Sequence, residues 1–207
     1  MTPEQIGGVY DAIAPHWAKE HARSQYGVAQ LQRALNILGR PGDALDVGCG
    51  AGGRLVRVMQ ENGLHVQGLD ISAHMLEIFG QRHPELEGIH ASITDWQTEA
   101  SYDFILAWDS LFHLPYKAHE PVLRKLATHL KVGGVLLYTL GDAVGEHEDT
   151  WLGQRVYYSS LGIIQNLSVL AAAGLVCKHL ELDQWPQNHV YIIAQKVCDD
   201  TGGVKAV

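Results

Sequence analysis

The run Ala44-Leu45-Asp46-Val47-Gly48-Cys49-Gly50-Ala51-Gly52-Gly53 joins apolar residues, one carboxylate and glycines at alternate positions. That order reads as a buried strand, a tight turn and a helix opening through Gly53-Arg54-Leu55-Val56. Glycines let the backbone take positive φ and let a ligand approach the peptide groups, while the first N–H groups of the helix stay free to bind it. Gly48, Gly50 and Gly53 satisfy the dinucleotide form of such a turn, and Gly48, Gly50 and Gly52 satisfy the G-x-G-x-G form. A turn without any ligand is the plainer alternative. Asp46 separates the two ligand classes: its charge opposes a pyrophosphate but suits a ligand carrying an ammonium group. A second acid, Asp70, ends the strand-like Leu64–Asp70 twenty residues beyond Gly50. It is placed to accept hydrogen bonds from two ribose hydroxyls, or to help cap the helix opening at Ser72.

An acid followed by G-x-G-x-G resembles the first motif of the class I S-adenosylmethionine-dependent methyltransferases, and three further segments follow in the order that resemblance requires. It implies S-adenosyl-L-methionine as cofactor, with Asp46, Gly48, Cys49, Gly50 and Gly52 at its methionine end and Asp70 and Ile71 at the ribose. Met75, one turn into the next helix, covers the adenine or packs in the core. In Ile89–Trp96, Ser92-Ile93 is the nearest match to the polar residue and backbone N–H that meet the adenine, as in thiopurine methyltransferases, with Asp95 as the alternative. Trp96 leans on the adenine edge or closes the sheet end. Tyr102–Asp109 forms a fourth strand whose end borders the transferred methyl in the family, so Ala107 and Trp108 are expected at the cofactor and Asp109 and His113 at the substrate. An ordinary imidazole titrates near ~6.5, which makes His113 the candidate catalytic base; a structural loop histidine is the alternative. Cys49 is either a reactive thiol near a helix start or a small side chain filling a turn.

Methyl transfer is an in-line displacement at a carbon bonded to a sulfonium. The enzyme must align the nucleophile, exclude water and, for a hydroxyl or thiol, remove a proton. No rival catalytic set stands out, since the serines lack a G-x-S-x-G elbow and the cysteines lack a paired histidine. Two other functions fit the same residues: an NAD-dependent oxidoreductase, through the overlapping glycine pattern, and a domain that holds S-adenosylmethionine without catalysis.

The elements that must position these residues alternate as a doubly wound α/β sheet requires. Val28, Leu31, Leu35 and Leu38 recur at helical spacing and stop at Gly39. Further helices are expected over Gly53–Asn62, Ser72–His83, Pro121–Leu130 and Ser159–Ala173, and a fifth strand over Lys131–Thr139. The last two strands, Leu175–Leu182 and His189–Val197, are joined too closely for a crossover helix and therefore pair antiparallel. The expected fold is thus a seven-stranded, mostly parallel sheet with an antiparallel C-terminal strand pair. A dinucleotide domain would continue parallel.

Residues 27–197 carry the resemblance. Residues 1–26, with Ile6, Tyr10, Ile13/Ala14 and Trp17 at helical spacing, are expected to form a helical lid, and Tyr10, Trp17 and Tyr26 to cover the sulfonium or substrate or else pack on the sheet. Residues 198–207 read as a flexible tail. Gly141–Tyr158 reads as a long loop beyond the fifth strand, where open α/β sheets bind ligands, with His147, Trp151 and Tyr157 as candidate substrate contacts. Its three acids, Glu146, Glu148 and Asp149, hint at an amine-bearing or polar substrate, or form a solvated edge.

Composition sets the outer bounds. With 207 residues, 46% of them apolar, the chain suits one domain with a full core. Neither a membrane-length apolar stretch nor a signal peptide is present, so a cytoplasmic protein is expected. The net charge of −8 and fifteen scattered Lys and Arg argue against nucleic acid and for a small-molecule acceptor. Twelve histidines and three cysteines show no metal-ligand spacing, so no metal is expected.

Overall fold

In a computed structural model, residues 1–184, 186 and 188–198 are described. The chain runs α1 (Pro3–His21), α2 (Val28–Leu38), β1 (Gly42–Val47), α3 (Arg54–Glu61), β2 (Leu64–Asp70), α4 (Ala73–Arg82), β3 (Glu87–His90) and β4 (Tyr102–Ala107), then α5 (His119–His129), β5 (Leu130–Gly141), β6 (Val144–Trp151), β7 (Gln154–Leu161), α6 (Gly162–Ala172), β8 (Leu175–Leu182) and β9 (His189–Lys196). Seven strands form one sheet in the order β3-β2-β1-β4-β5-β9-β8. Neighbours pair parallel until β9, which runs antiparallel to both β5 and β8. The order reverses between β1 and β4, and a crevice opens there at the carboxyl ends of the strands.

Strand alternation decides which helix meets which residue. Leu45, Ile105 and Leu136 point to the face covered by Leu123 and Leu126 of α5 and Leu170 of α6. Ala44, Phe104 and Leu137 point to the opposite face, against Leu31 and Leu35 of α2, Val56 and Met59 of α3 and Phe79 of α4. Every residue of β4 is buried, as a central parallel strand covered on both faces must be. Among the described residues no helix is long and apolar enough to cross a membrane.

The stretch expected as a loop over residues 141–158 is instead a two-stranded hairpin. β6 and β7 pair in continuous antiparallel register from Val144↔Leu161 to Trp151↔Gln154. Leu152 and Gly153 turn the chain with φ of 49° and 74°, the paired positive values of a tight hairpin turn. Leucine in place of the usual Asn or Asp hid that turn, and the exposed polar β6 has no alternating apolar face to announce a strand. The strand β7 also occupies Ser159–Leu161, so α6 begins at Gly162 rather than Ser159.

Helix α1 is capped by Thr2, whose hydroxyl accepts from Gln5 N–H while the Gln5 side chain accepts from Thr2 N–H. Its apolar face is held on one side by β7, with Ile6 and Val9 on Val156 and Tyr157. On the other, Ala14 and Ala18 pack against Ala51 and Met75. Pro15 lies inside the helix and has no N–H to give the Asp11 carbonyl. His74 Nδ1 takes up that carbonyl at 3.2 Å, and the Asp11 carboxylate accepts from Ser72 Oγ at 2.6 Å and His74 N–H at 3.0 Å. A single acid of α1 thus docks on the opening turn of α4. The tail expected from residue 198 lies outside the described residues from residue 199 onward.

Asp11→Ala should lower unfolding stability by about 1–2 kcal/mol, the scale of lost side-chain hydrogen bonds at a helix start. Limited proteolysis should then cut within α1 before any sheet element is lost; unchanged cleavage would contradict the docking role.

Candidate functional site

The crevice is a deep cavity of about 1240 Å³, counted to its open mouth, between the glycine turn, the ends of β2 and β4 and helix α1. Gly48 stands at φ 77°, and a Cβ there would meet Ser110 Cβ at 2.4 Å, while Ser110 Oγ donates to Val47 O at 2.7 Å. The turn is therefore drawn tight against the loop after β4, with no side chain between. Asp70 holds it from the other side: its carboxylate accepts from Gly50 N–H at 2.7 Å and from Ser72 N–H at 2.8 Å. The cap of α4 is Ser72, whose Oγ accepts from Met75 N–H at 3.1 Å, and Asp70 supports it by accepting from the Ser72 N–H. Burial pushes the Asp70 pKa upward, against the lowering effect of the N–H donors of Ser72, Gly50 and Ile71.

Asp46 lies below the turn, buried at 5% exposure on the cavity wall. Burial, and then the neighbouring Asp70 charge, push its pKa up to about 7, partly countered by Arg54. Arg54 opens α3, donates its Nε–H to the Tyr26 carbonyl and stands 5.4 Å over the Tyr26 ring. The cavity thus sets an under-compensated carboxylate beside a guanidinium, a donor set that fits the ammonium and carboxylate of an amino acid.

Most of the expected cofactor residues reach the cavity wall: Asp46, Gly48, Cys49, Gly50, Asp70 and Ile71 from the first two strand ends, then Met75, Ser92, Ile93 and Trp108. Met75 is also fully buried among Ala14, Ala18 and Ala51, so it serves the core and the wall together. Asp95 is absent from the wall, leaving Ser92-Ile93 there. The Cys49 thiol is pushed well up by burial and lies 2.7 Å from where a Gly68 Cβ would stand, a packing residue rather than a thiolate. Gly52 and Ala107 do not line the cavity. A Cβ on Gly52 would strike Phe79 at 2.6 Å and His83 at 2.7 Å, so it seats α4, and Ala107 points into the core beneath α5.

Of the expected substrate contacts, Tyr10, Trp17, Asp109 and His113 line the cavity, whereas Tyr26, His147, Trp151 and Tyr157 do not. Hairpin formation explains three of these departures. His147 stacks on Tyr158 at 5.2 Å, Trp151 packs edge-on to Trp17 at 5.3 Å, and the Tyr157 hydroxyl donates to Glu146. Tyr26 lies one layer out, its hydroxyl 3.4 Å from Asp109 Oδ1. Arg54, Arg82, His21, Pro3 and Ile6 join the wall without having been expected. Arg54 follows the glycine run directly, the one sequence signal that pointed to any of them.

His113 Nδ1 is 2.9 Å from the Tyr157 carbonyl and its Nε2 is 2.7 Å from the Tyr10 hydroxyl. A carbonyl only accepts, so Nδ1 carries the hydrogen, and Nε2 accepts from Tyr10. Burial depresses the His113 pKa to about 4, with the Tyr157 carbonyl and Asp109 opposing. The ring is neutral at ordinary pH and a weak base. Lys125 braces the loop after β3, donating to the carbonyls of Ile93, Thr94 and Trp96 at 2.9 Å each.

The doubly wound sheet with its antiparallel β9, and a cavity floored by an acid and a glycine turn, define a class I S-adenosylmethionine-dependent methyltransferase. Residues 18–183 match the family described as a methyltransferase domain, and the chain belongs to it. It is 36% identical to phosphoethanolamine N-methyltransferase 2 of Caenorhabditis elegans, over 66% of this chain and 33% of that protein. It is 30% identical to the 27-O-demethylrifamycin SV methyltransferase of Amycolatopsis mediterranei, over 68% of this chain and 59% of that one. The chain therefore spans only a third to three fifths of these relatives. The fold is similar to that of DhpI in its complex with SAH, with a TM-score of 0.72 at 20% identity, covering 94% of this chain and 96% of DhpI.

The raised Asp46 pKa sets a sign. Its protonated form favours the ligand-free fold below the ordinary carboxylate range, and that contribution is lost as pH rises through about 7. Chemical denaturation from pH 5 to 8 should show the native chain losing stability relative to Asp46→Asn; parallel curves would refute the burial argument.

Proposed function

We propose that this protein transfers a methyl group from S-adenosylmethionine to the nitrogen of a small amine. Bound cofactor supplies a methyl made electrophilic by its sulfonium. Asp46 is the partner for the cofactor's ammonium and Arg54 for its carboxylate, Asp70 accepts from the ribose hydroxyls, and Ser92-Ile93 border the adenine beside Met75. Trp17 and Tyr10 of α1 close the methyl-bearing end and exclude water, the role assigned to a lid.

The observation that carries the choice of acceptor is the company Asp109 keeps. It faces the cavity at the end that also presents Tyr10 and His113. A histidine whose pKa lies at about 4 is a poor sink for the proton of an alcohol, which disfavours a hydroxyl acceptor. An anionic acceptor needs no base, but it would meet three carboxylates, Asp46, Asp70 and Asp109, on one wall. An amine avoids both costs. It attacks as the neutral base, and its nitrogen gains positive charge as the C–N bond forms, which a fixed carboxylate at Asp109 stabilises in the transition state. Tyr10, its hydrogen committed to His113 Nε2, offers lone pairs that orient the acceptor N–H. His113 is thereby a positioner of Tyr10 rather than the base first expected of it.

The relatives support a small acceptor: two are by name phosphoethanolamine N-methyltransferases, and others methylate oxygen. Formation of S-adenosylhomocysteine should be measured with matched amines, alcohols, thiols and carboxylates, 2-aminoethyl phosphate among the amines. Turnover of amines above the rest is expected, and turnover confined to hydroxyl or carboxylate acceptors would overturn the reading. Asp70→Ala should weaken S-adenosylmethionine binding at least about tenfold by calorimetry, the scale of one charge-assisted hydrogen bond.

A further inference from the structure

Behind Asp109, away from the cavity, stands a polar cluster that the reaction as described does not use. Asp109 holds φ 52°, a left-handed value that a residue other than glycine keeps only where its surroundings impose it. Its N–H donates to Thr139 Oγ1 at 2.8 Å, and its Oδ1 lies 2.9 Å from His189 Nε2. The other ring nitrogen of His189, Nδ1, bonds Oδ1 of Asp183, a carboxylate whose side chain is only 4% exposed. Gln30 donates to Asp183 Oδ2 at 3.0 Å. The Tyr26 hydroxyl donates to Asp109 Oδ1 and accepts from Gln184, and Arg54 packs over the Tyr26 ring.

A neutral imidazole with its hydrogen on Nδ1 could take the Tyr26 hydroxyl hydrogen at Nε2, 3.1 Å away, but Nε2 would then set a lone pair against Asp109 Oδ1 at 2.9 Å and that carboxylate would lose both donors. Only the imidazolium satisfies Asp109 and Asp183 together. The direction of its titration agrees: burial opposes the charge, but the two carboxylates outweigh it and raise the His189 pKa. The ring so held stands directly behind Asp109, on the side away from the wall that this acid shares with Asp46 and Asp70. The bonds formed by Asp109 fall on Oδ1, so among the described residues Oδ2 is the oxygen left to the cavity.

We propose that His189, clamped by Asp183, is a positioning residue: it holds Oδ1 of Asp109 and fixes that carboxylate to face the acceptor nitrogen, which attacks as the neutral amine and becomes cationic as the C–N bond forms. The proposal rests on the amine reading of Asp109 given above. His189 does not itself line the cavity and so acts only through Asp109.

The test uses the full chain saturated with S-adenosylhomocysteine and 2-aminoethanol, an ammonium at neutral pH, as the probe, titrated by NMR. The probe should bind the native complex. Asp109→Asn and His189→Leu should each weaken it at least about tenfold, while affinity for S-adenosylhomocysteine stays within about twofold. His189→Gln, which keeps a neutral N–H donor within reach of Asp109, should recover part of the loss, a rescue that a merely structural role would not give. Should His189→Leu fail to bind S-adenosylhomocysteine, Asp183→Asn carries the same expectation of selective probe loss. Native-like probe affinity in the His189 and Asp183 variants, with loss in Asp109→Asn, overturns the positioning role and leaves the amine reading standing. No binding to the native complex, or undiminished binding to Asp109→Asn, overturns the amine reading and this proposal with it.

Discussion

The hydrogen bonds from Gly50 N–H and Ser72 N–H to the Asp70 carboxylate are the tie on which the site depends. They join two strand-to-helix junctions that are remote in sequence and adjacent in the sheet, fixing the glycine turn relative to the start of α4. Helix α1 then takes its place from α4, because Asp11 binds the same opening turn at Ser72 and His74. Tyr10, the residue before Asp11, is thereby carried to His113. One half-buried acid thus sets the glycine turn and, through a neighbouring helix start, the wall opposite it.

Electrostatics constrain the same region from the other direction. Three carboxylates stand on one cavity wall, and Arg54 is the guanidinium close to Asp46 and Asp109. Burial works against the charge at Asp46 and Asp70 and raises both pKa values, that of Asp46 to about 7. Asp109 differs because it has an imidazole behind it that is itself held between two acids. The three acids therefore have different neighbours: Asp46 is buried near Arg54, Asp70 is held by backbone N–H groups, and Asp109 is bonded by the His189 ring.

The hairpin lies between β5 and α6 and gives α1 something to lean on. Its inner strand buries Val156 and Tyr157 against Ile6 and Val9, and its Tyr157 carbonyl sets the tautomer of His113. Its outer strand is exposed and acidic. The hairpin acts on the cavity through what it supports, since its own aromatic side chains are used up in packing on one another and on Trp17.

The sequence by itself determined the seven-stranded sheet and the glycine turn with its two acids at the strand ends. Strand burial, helix periodicity and the spacing from Asp46 through Gly50 to Asp70 are local properties, and a short connection before β9 leaves only an antiparallel return. What it concealed was every feature made by residues far apart in the chain. Periodicity could not reveal the β6–β7 pairing, whose polar outer strand and Leu152-Gly153 turn carry no local signature. Nor could it show that Gly52 and Ala107 face helices, that Arg82 and His21 reach the wall, or that Tyr26 lies behind Asp109 rather than over the ligand. The state of His113 and the Asp183–His189–Asp109 relay were likewise decided only by the tertiary structure. A residue type tells what a side chain can donate or accept, but burial and the partner on each nitrogen or oxygen, set here by contacts spanning 80 and 103 residues, decide what it does.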